Sequence, residues 1–131
     1  MNMETERKPC LAIVVPCYNE GLVLEQTTAH LTAVLEGLQH IVHPDSRIIY
    51  VNDGSYDDTW SIISSFHAKD KRIAGISLAS NSGHQNALMA GLFTACEHAD
   101  IMVSIDADLQ DDVEVIPEMV RKYHEGCDIV Y

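Results

Sequence analysis

The chain has 131 residues, 47% hydrophobic and 21% charged, which is the size and composition of one folded domain and not of a disordered segment. A formal net charge of -12 with only 8 Lys and Arg argues against a nucleic-acid partner, because phosphate contacts need clustered cations, and against docking of this segment on anionic lipid.

In chain order, residues 1–10 read as a tail. The opening "MNMETERKP" has no apolar stretch of the kind a signal peptide needs, and no apolar run in the chain approaches the roughly 18 residues of a membrane span. "LAIVV" (Leu11 to Val15) predicts a short buried strand stopped by Pro16. Leu24, Leu31, Val34, Leu35 and Leu38 then recur at helical spacing. "IIYV" (Ile48 to Val51) predicts the second strand, and "SYDDT" follows, in which Asp57 or Asp58 can cap a helix carrying Trp60, Ile63 and His67. "IAGISL" (Ile73 to Leu78) predicts the third strand. The helix after it, His84 to His98, sets Ala87 and Gly91 on one face for close approach to a sheet.

"IMVSI" (Ile101 to Ile105) predicts the fourth strand. Val113, Ile116, Val120 and Tyr123 make one helical stripe, with Pro117 tolerable only near the helix start. "DIVY" (Asp128 to Tyr131) predicts a fifth strand. None of these strands alternates cleanly, so the expectation is an α/β domain, a mostly parallel sheet covered by helices on both faces. The chain stops within or just after that last strand, which suggests a piece of a longer protein whose cut edge could self-associate into a homo-oligomer. Cys10, Cys17, Cys96 and Cys127 show no metal or disulfide spacing, so reduced and mostly buried thiols in the cytoplasm are expected.

Ligands of open α/β sheets bind beyond the carboxyl ends of the strands. The loops there are "PCYNEG", "NDGSYDD", "ASNSGHQN" and "DADLQDD", all polar and all expected at one edge. Acidity concentrates beside the last of them: from Glu97 to Tyr131 ten Asp and Glu face Arg121 and Lys122, a net of -8. Asp106, Asp108 and Gln110 stand at i, i+2 and i+4, so in an extended segment they point one way. Carboxylates that close repel unless a cation or a proton separates them, and oxygen-only donors favour Mg²⁺ or Mn²⁺ with positions left for phosphates. Asp111 and Asp112 read as caps of the next helix. An EF-hand starting at Asp106 fails, because Asp111 and Pro117 stand where Gly and Glu are required. P-loop, dinucleotide, zinc-protease and Gly-x-Ser-x-Gly patterns are absent.

Other residues have two readings. Asp53, ahead of Gly54, can accept N–H groups of a nucleobase or bind ribose, or it can hold its own loop as an Asx-turn. Tyr18 can stack on a base, Glu20 can favour the start of the first helix, and His84 can reach a phosphate. His40 and His43 read as a surface helix end.

Taken together, "VVPCYNE", "VNDGSYDDT", "NSGHQNALMAGL" and "DADLQDD" resemble the motifs of the family 2 inverting glycosyltransferases with a GT-A fold. The resemblance runs from Leu11 to Tyr131 and is nearest to the branch that makes polyprenyl-phosphate sugars, such as dolichol-phosphate mannose synthases and bactoprenol glucosyltransferases. It implies transfer of a sugar from a UDP- or GDP-sugar to an acceptor, with a polyprenyl phosphate as the expected one. It implies that Pro16, Tyr18, Glu20, Asp53 and Asp106 line the nucleotide pocket. It also implies that Asp106, Asp108 and Gln110 hold the metal, with Asp108 serving catalysis through the diphosphate. Two departures stand out: "LAS" precedes "NSGHQ" where many relatives carry Arg, and Asn52 replaces a first Asp. The expected place of action is the cytoplasmic side, with the longer protein at a membrane and this piece alone inactive. An aspartyl phosphohydrolase would want its DxD after the first strand; the alternatives are a non-catalytic nucleotide or metal-binding module and a glycosyltransferase acting on a sugar hydroxyl acceptor.

Overall fold

The computed structural model describes residues 8–108 and 115–124. Strands β1 (Leu11–Cys17), β2 (Arg47–Asn52), β3 (Ile73–Ser77) and β4 (Ile101–Ser104) form a parallel sheet in the order β3-β2-β1-β4. They alternate with helices α1 (Leu24–Leu38), α2 (Thr59–Lys69), α3 (His84–Cys96) and α4 (Val115–His124). The α/β fold class is as the sequence predicts. The fifth predicted strand, Asp128 to Tyr131, and the caps Asp111 and Asp112 lie outside the described residues.

Parallel strands need crossovers, and right-handed crossovers place a helix on the face set by the direction of travel across the sheet. The chain moves outward from β1 through β2 to β3, then returns past β1 to β4. Accordingly α1 and α2 pack on one face and α3 on the other. On the first face Leu11, Ile13, Val15, Ile48 and Tyr50 meet Leu24, Leu31 and Leu35 of α1, Ile63 of α2 and Ile116 and Val120 of α4. On the second, Ala12, Val14, Ile49 and Val51 meet Ala87 and Ala95 of α3. The large residues of the central strands thus face three helices and the smaller ones face a single, closely seated helix.

The predicted α1 stripe is buried in full, together with Thr27 and Thr28. In α2 the inward residues are Thr59 and Ile63, while Trp60 is 37% exposed and His67 is exposed, its Nδ1 reaching the Ile73 carbonyl. Trp60 still packs beside Ile63 over Gly75 of β3. In α4 Ile116 and Val120 are buried, Tyr123 is half exposed, and Pro117 sits in the first turn as required.

Four expectations are corrected. β1 does not stop at Pro16 but runs through it to Cys17, in register with Val51 and Asn52 of β2. The carbonyls of Cys10 and Val14 are turned toward β4, so by alternation the nitrogen of Pro16 faces the same way, beyond the last paired residues Val14 and Ser104. The ladder to β4 therefore ends after the Ile105 N–H to Val14 carbonyl bond, while the ladder to β2 on the other side continues. The sheet is covered on both faces only at β1 and β2. β4 alternates, with Met102 and Ser104 exposed on the α3 face because α3 sits over β1 and β2, whereas β3 leaves Gly75 and Ser77 exposed on the other face, the one that carries α1 and α2. Of the described cysteines only Cys17 is buried; Cys10 is half-buried and Cys96 is exposed at the end of α3. The third helix ends at Cys96 and not at His98.

Gly91 fixes how closely α3 approaches. A Cβ at this position would fall 2.4 Å from Val14 Cγ1 and 2.9 Å from Val51 Cγ2. Neither branched side chain can swing away inside a filled layer. Gly91→Ala should therefore destabilise the chain by about 1–3 kcal/mol from overpacking, outweighing the roughly 1 kcal/mol that alanine gains in a helix. Urea unfolding of the two chains would show it; equal midpoints would mean that α3 has room to lift.

Candidate active site

The strand order reverses beside β1, and there the loops after β1 and β4 diverge to opposite sides and leave a crevice. A cavity of about 280 Å³ opens at that point. Each of the four loops contributes to it: Pro16, Tyr18 and Glu20 after β1, Asp53 after β2, Asn81 and His84 after β3, and Asp106 and Asp108 after β4. Of the sequence-predicted site residues, Pro16, Tyr18, Glu20, Asp53, Asp106 and Asp108 are brought together; Gln110 lies outside the described residues.

The loops are tied to one another by side chains. Asn19, at φ 53, accepts the backbone N–H groups of Tyr56 and Asp57 at 2.8 and 3.3 Å, and its own N–H donates to Ser55 Oγ at 2.9 Å. Asp57 accepts the Gly21 N–H at 3.1 Å and, on its other oxygen, the Thr59 N–H at 3.0 Å and the Thr59 hydroxyl. The Glu20 N–H donates to Thr59 Oγ1 at 3.0 Å. So Asp57, and not Asp58, receives the first turn of α2, and it fixes the β1 loop as well. Gly54, at φ +68, turns the β2 loop against the β3 loop so closely that a Cβ would sit 2.4 Å from the Asn81 nitrogen. That contact lets Asp53 accept the N–H groups of Ser82 at 2.7 Å and Gly83 at 3.1 Å, one on each carboxylate oxygen. Asp53 is 3% exposed, yet each oxygen keeps a second acceptor position. The expected Asx-turn within its own loop is therefore corrected: Asp53 binds the next loop, while Asn52 Oδ1 accepts the Ser55 N–H at 3.2 Å, and Asp53 also stands in the cavity wall.

The β4 loop is a turn at Ala107 and Asp108, not an extended segment. Ala107 is buried and its carbonyl accepts the Thr27 hydroxyl from α1, while Asp106 and Asp108 on either side of it both face the cavity. Sequence reasoning passed over Thr27, although it lies between Leu24 and Leu31 at helical spacing, where a polar residue has to find a buried partner. His84 Nε2 stands 4.0 Å from Asp106 Oδ1.

The electrostatics follow from this crowding. The carboxyl of Glu20 is raised above its ordinary value, first by burial and then by the charges of Asp108, Asp57 and Asp106. Cys17, in the cavity wall, is pushed far up by burial and by Glu20, so it is a packing residue and not a nucleophile. Asp57 is held below its ordinary value, chiefly by the Thr59 hydroxyl. Tyr18 is 39% exposed and meets Tyr56 edge to face at 6.5 Å between ring centres, leaving aromatic surface at the rim. Among the described residues no group of three His, Cys, Asp or Glu side chains forms a closed cation cage. Asp106 and Asp108 bring two carboxylates to the cavity wall.

This is the α/β GT-A fold, with its crevice where four loops meet at the edge of a parallel sheet. Staphylococcus aureus TarS 1–349 in complex with UDP-GlcNAc shares it at a TM-score of 0.64 and 16% identity, over 93% of this chain and 37% of that one. The mannosyltransferase PcManGT from Pyrobaculum calidifontis in complex with GDP-Man and Mn²⁺ matches at 0.57 and 24% identity, over 77% and 28%. Residues 12–131 match the family described as Glycosyl transferase family 2, and the chain belongs to that family. It is 48% identical over 128 residues to the uncharacterized glycosyltransferase YkoT of Bacillus subtilis (strain 168), covering 96% of this chain and 38% of that protein. It is 35% identical over 122 residues to the bactoprenol glucosyl transferase of Shigella phage SfV, covering 92% and 37%. The chain thus spans little more than a third of the length of these relatives.

Because Asp57 is held low, what it adds to stability is full above the ordinary carboxylate range and disappears as the pH falls through its folded value. Asp57→Asn should lower Tm at pH 7, and the gap to the unaltered chain should close as the pH falls below about 4. A gap that is independent of pH would show that the Asp57 charge does not hold these loops together.

Proposed function

We propose that this chain supplies the nucleotide-sugar-binding part of an enzyme that transfers a sugar, with inversion and with Mg²⁺ or Mn²⁺, from a UDP- or GDP-sugar to a polyprenyl phosphate. The observation that carries this reading is the convergence of four loops on one cleft with Asp106 and Asp108 side by side at its β4 wall. The family membership, the phage relative named for bactoprenol, and the neighbours solved with UDP-GlcNAc and with GDP-Man and Mn²⁺ support it.

The donor set fits such a cation. Mg²⁺ and Mn²⁺ take oxygen ligands, and Mg²⁺ is commonly held by one or two carboxylates with substrate phosphates completing its shell. Asp106 and Asp108 provide the carboxylates, and Gln110 is the proposed third protein ligand. When bound, the ion supplies charge neutralisation for the departing diphosphate. The remaining work falls to the chain. Tyr18 and Pro16 border the base, and Asp53, fixed by the β3 loop, turns its free acceptor positions to base N–H or ribose hydroxyl groups. Glu20, already uncomfortable as an anion, closes the cleft floor beside them.

An acceptor phosphate with a second pKa near about 6 is largely ionised at pH 7. Its oxygen attacks the anomeric carbon as the bond to the diphosphate breaks, and no protein base has to remove a proton. We place this reaction on the cytoplasmic side of a membrane. Among the described residues no helix is long and apolar enough to cross one.

Calorimetric titration of UDP and of GDP, with and without Mn²⁺, tests the reading. One nucleotide should bind in a Mn²⁺-dependent way, and Asp108→Ala should weaken it about tenfold or more by removing a charged ligand. A folded chain that binds neither nucleotide would sink the proposal.

A further inference from the structure

A nucleoside diphosphate brings its negative charge into a cleft already lined by Glu20, Asp53, Asp106 and Asp108. A bound cation meets that charge from the side of Asp106 and Asp108. The adjoining wall is formed by the start of α3, and its resources are few. None of the described residues lining the cavity is Lys or Arg. The amino-terminal end of α3 is not free to act alone, since the N–H groups of Ser82 and Gly83 are already given to Asp53, whose charge offsets the positive end of the helix. His84, the first residue of α3, is the one basic side chain in that described lining. Its ring is 57% exposed, and its Nε2 stands 4.0 Å from Asp106 Oδ1, beyond direct hydrogen-bonding distance. The ring therefore stands beside the metal-side carboxylate without a direct hydrogen bond to it.

We propose that His84 is the phosphate-facing side chain of this cleft, donating a ring N–H to the diphosphate of the bound nucleotide sugar from the start of α3, beside Asp106. The proposal rests on the nucleotide-sugar reading and deepens it. An imidazole N–H can donate whether the ring is neutral or charged. The contact discriminates nucleoside diphosphates from nucleosides, and it holds the leaving group from a second side while the glycosidic bond breaks.

The test compares the unaltered chain with His84→Ala and His84→Asn, using UDP, GDP, uridine and guanosine in Mn²⁺ as calorimetric probes and Mn²⁺ alone followed by electron paramagnetic resonance. His84→Ala should weaken the preferred diphosphate about tenfold or more, as loss of a hydrogen bond to a charged group does, and leave its nucleoside unchanged. His84→Asn, which keeps an N–H donor, should recover part of the loss. Mn²⁺ alone should bind all three chains alike. Undiminished diphosphate affinity in His84→Ala overturns the proposal. So does equal weakening of nucleoside and diphosphate, which would make the ring a support for the pocket. Loss of Mn²⁺ binding in the variant would make His84 a metal ligand and overturn it too. If the unaltered chain binds no nucleoside diphosphate, the nucleotide-sugar reading itself fails and His84 loses its role with it.

Discussion

Two hydrogen bonds from the backbone of Ser82 and Gly83 to the carboxylate of Asp53 hold the cleft in its shape. They extend the contact between the β2 and β3 loops beyond the Leu78 N–H to Asn52 carbonyl bond and the Asn52 amide to Ser77 hydroxyl bond, up to the first turn of α3. Burial makes the arrangement demanding: a carboxylate 3% exposed is costly unless its oxygens are met, and here backbone donors meet them. Gly54 is the condition for this contact, because any side chain there would collide with the backbone of Ser80 and Asn81. Asn19 and Asp57 then fasten the β1 loop to the β2 loop, and Thr27 fastens the β4 turn to α1. Every wall of the cleft is thereby tied, by a short polar side chain, to an element other than its own.

This stitching explains how the chain sustains a strongly acidic crevice. Four carboxylates around one cavity repel each other, and Glu20 is raised first by burial and then by that repulsion. The hydrophobic layers beneath, anchored by Leu11, Ile13, Ile48 and Tyr50 on one face and by Val14 and Val51 on the other, hold the strand ends in place against it. The crevice is thus primed for positive charge while the rest of the sheet is indifferent to it. Asp57 is the counter-example that makes the point: it lies in the same loop cluster, but donors surround it and its carboxyl is held low.

Most of this architecture could be read from the residues. Short β-branched runs alternating with leucine-spaced segments gave the parallel sheet, and the α1 stripe from Leu24 to Leu38 is buried as its spacing requires. The six described site residues meet because strand ends share an edge, a rule of topology that needs no knowledge of contacts. What could not be read depends on geometry between distant loops. Asp53 has the same local sequence whether it serves its own turn or the next loop, and only the positive φ of Gly54 decides. Pro16 read as a strand end because proline lacks an N–H; the direction in which that missing donor faces depends on where β4 stops pairing. The exposed residues of β3 and β4 lie on opposite faces, Gly75 and Ser77 on the side of α1 and α2 and Met102 and Ser104 on the side of α3, a matter of where the helices sit that strand composition does not encode.

The helix α3 has its two ends in different surroundings: His84 enters the cleft, and Cys96, an exposed thiol, closes the other end. At 1.5 Å per residue these ends are about 18 Å apart on a single rigid rod. The seating of Gly91 on Val14 and Val51 keeps that rod from sliding along the sheet. A reporter group attached to the Cys96 sulfur would therefore ride on the same body as the cleft wall without entering it. Any tilt of α3 when the cleft fills would appear at Cys96 as a change of environment, a lever by which this small domain can make events at the sheet edge visible from its far side.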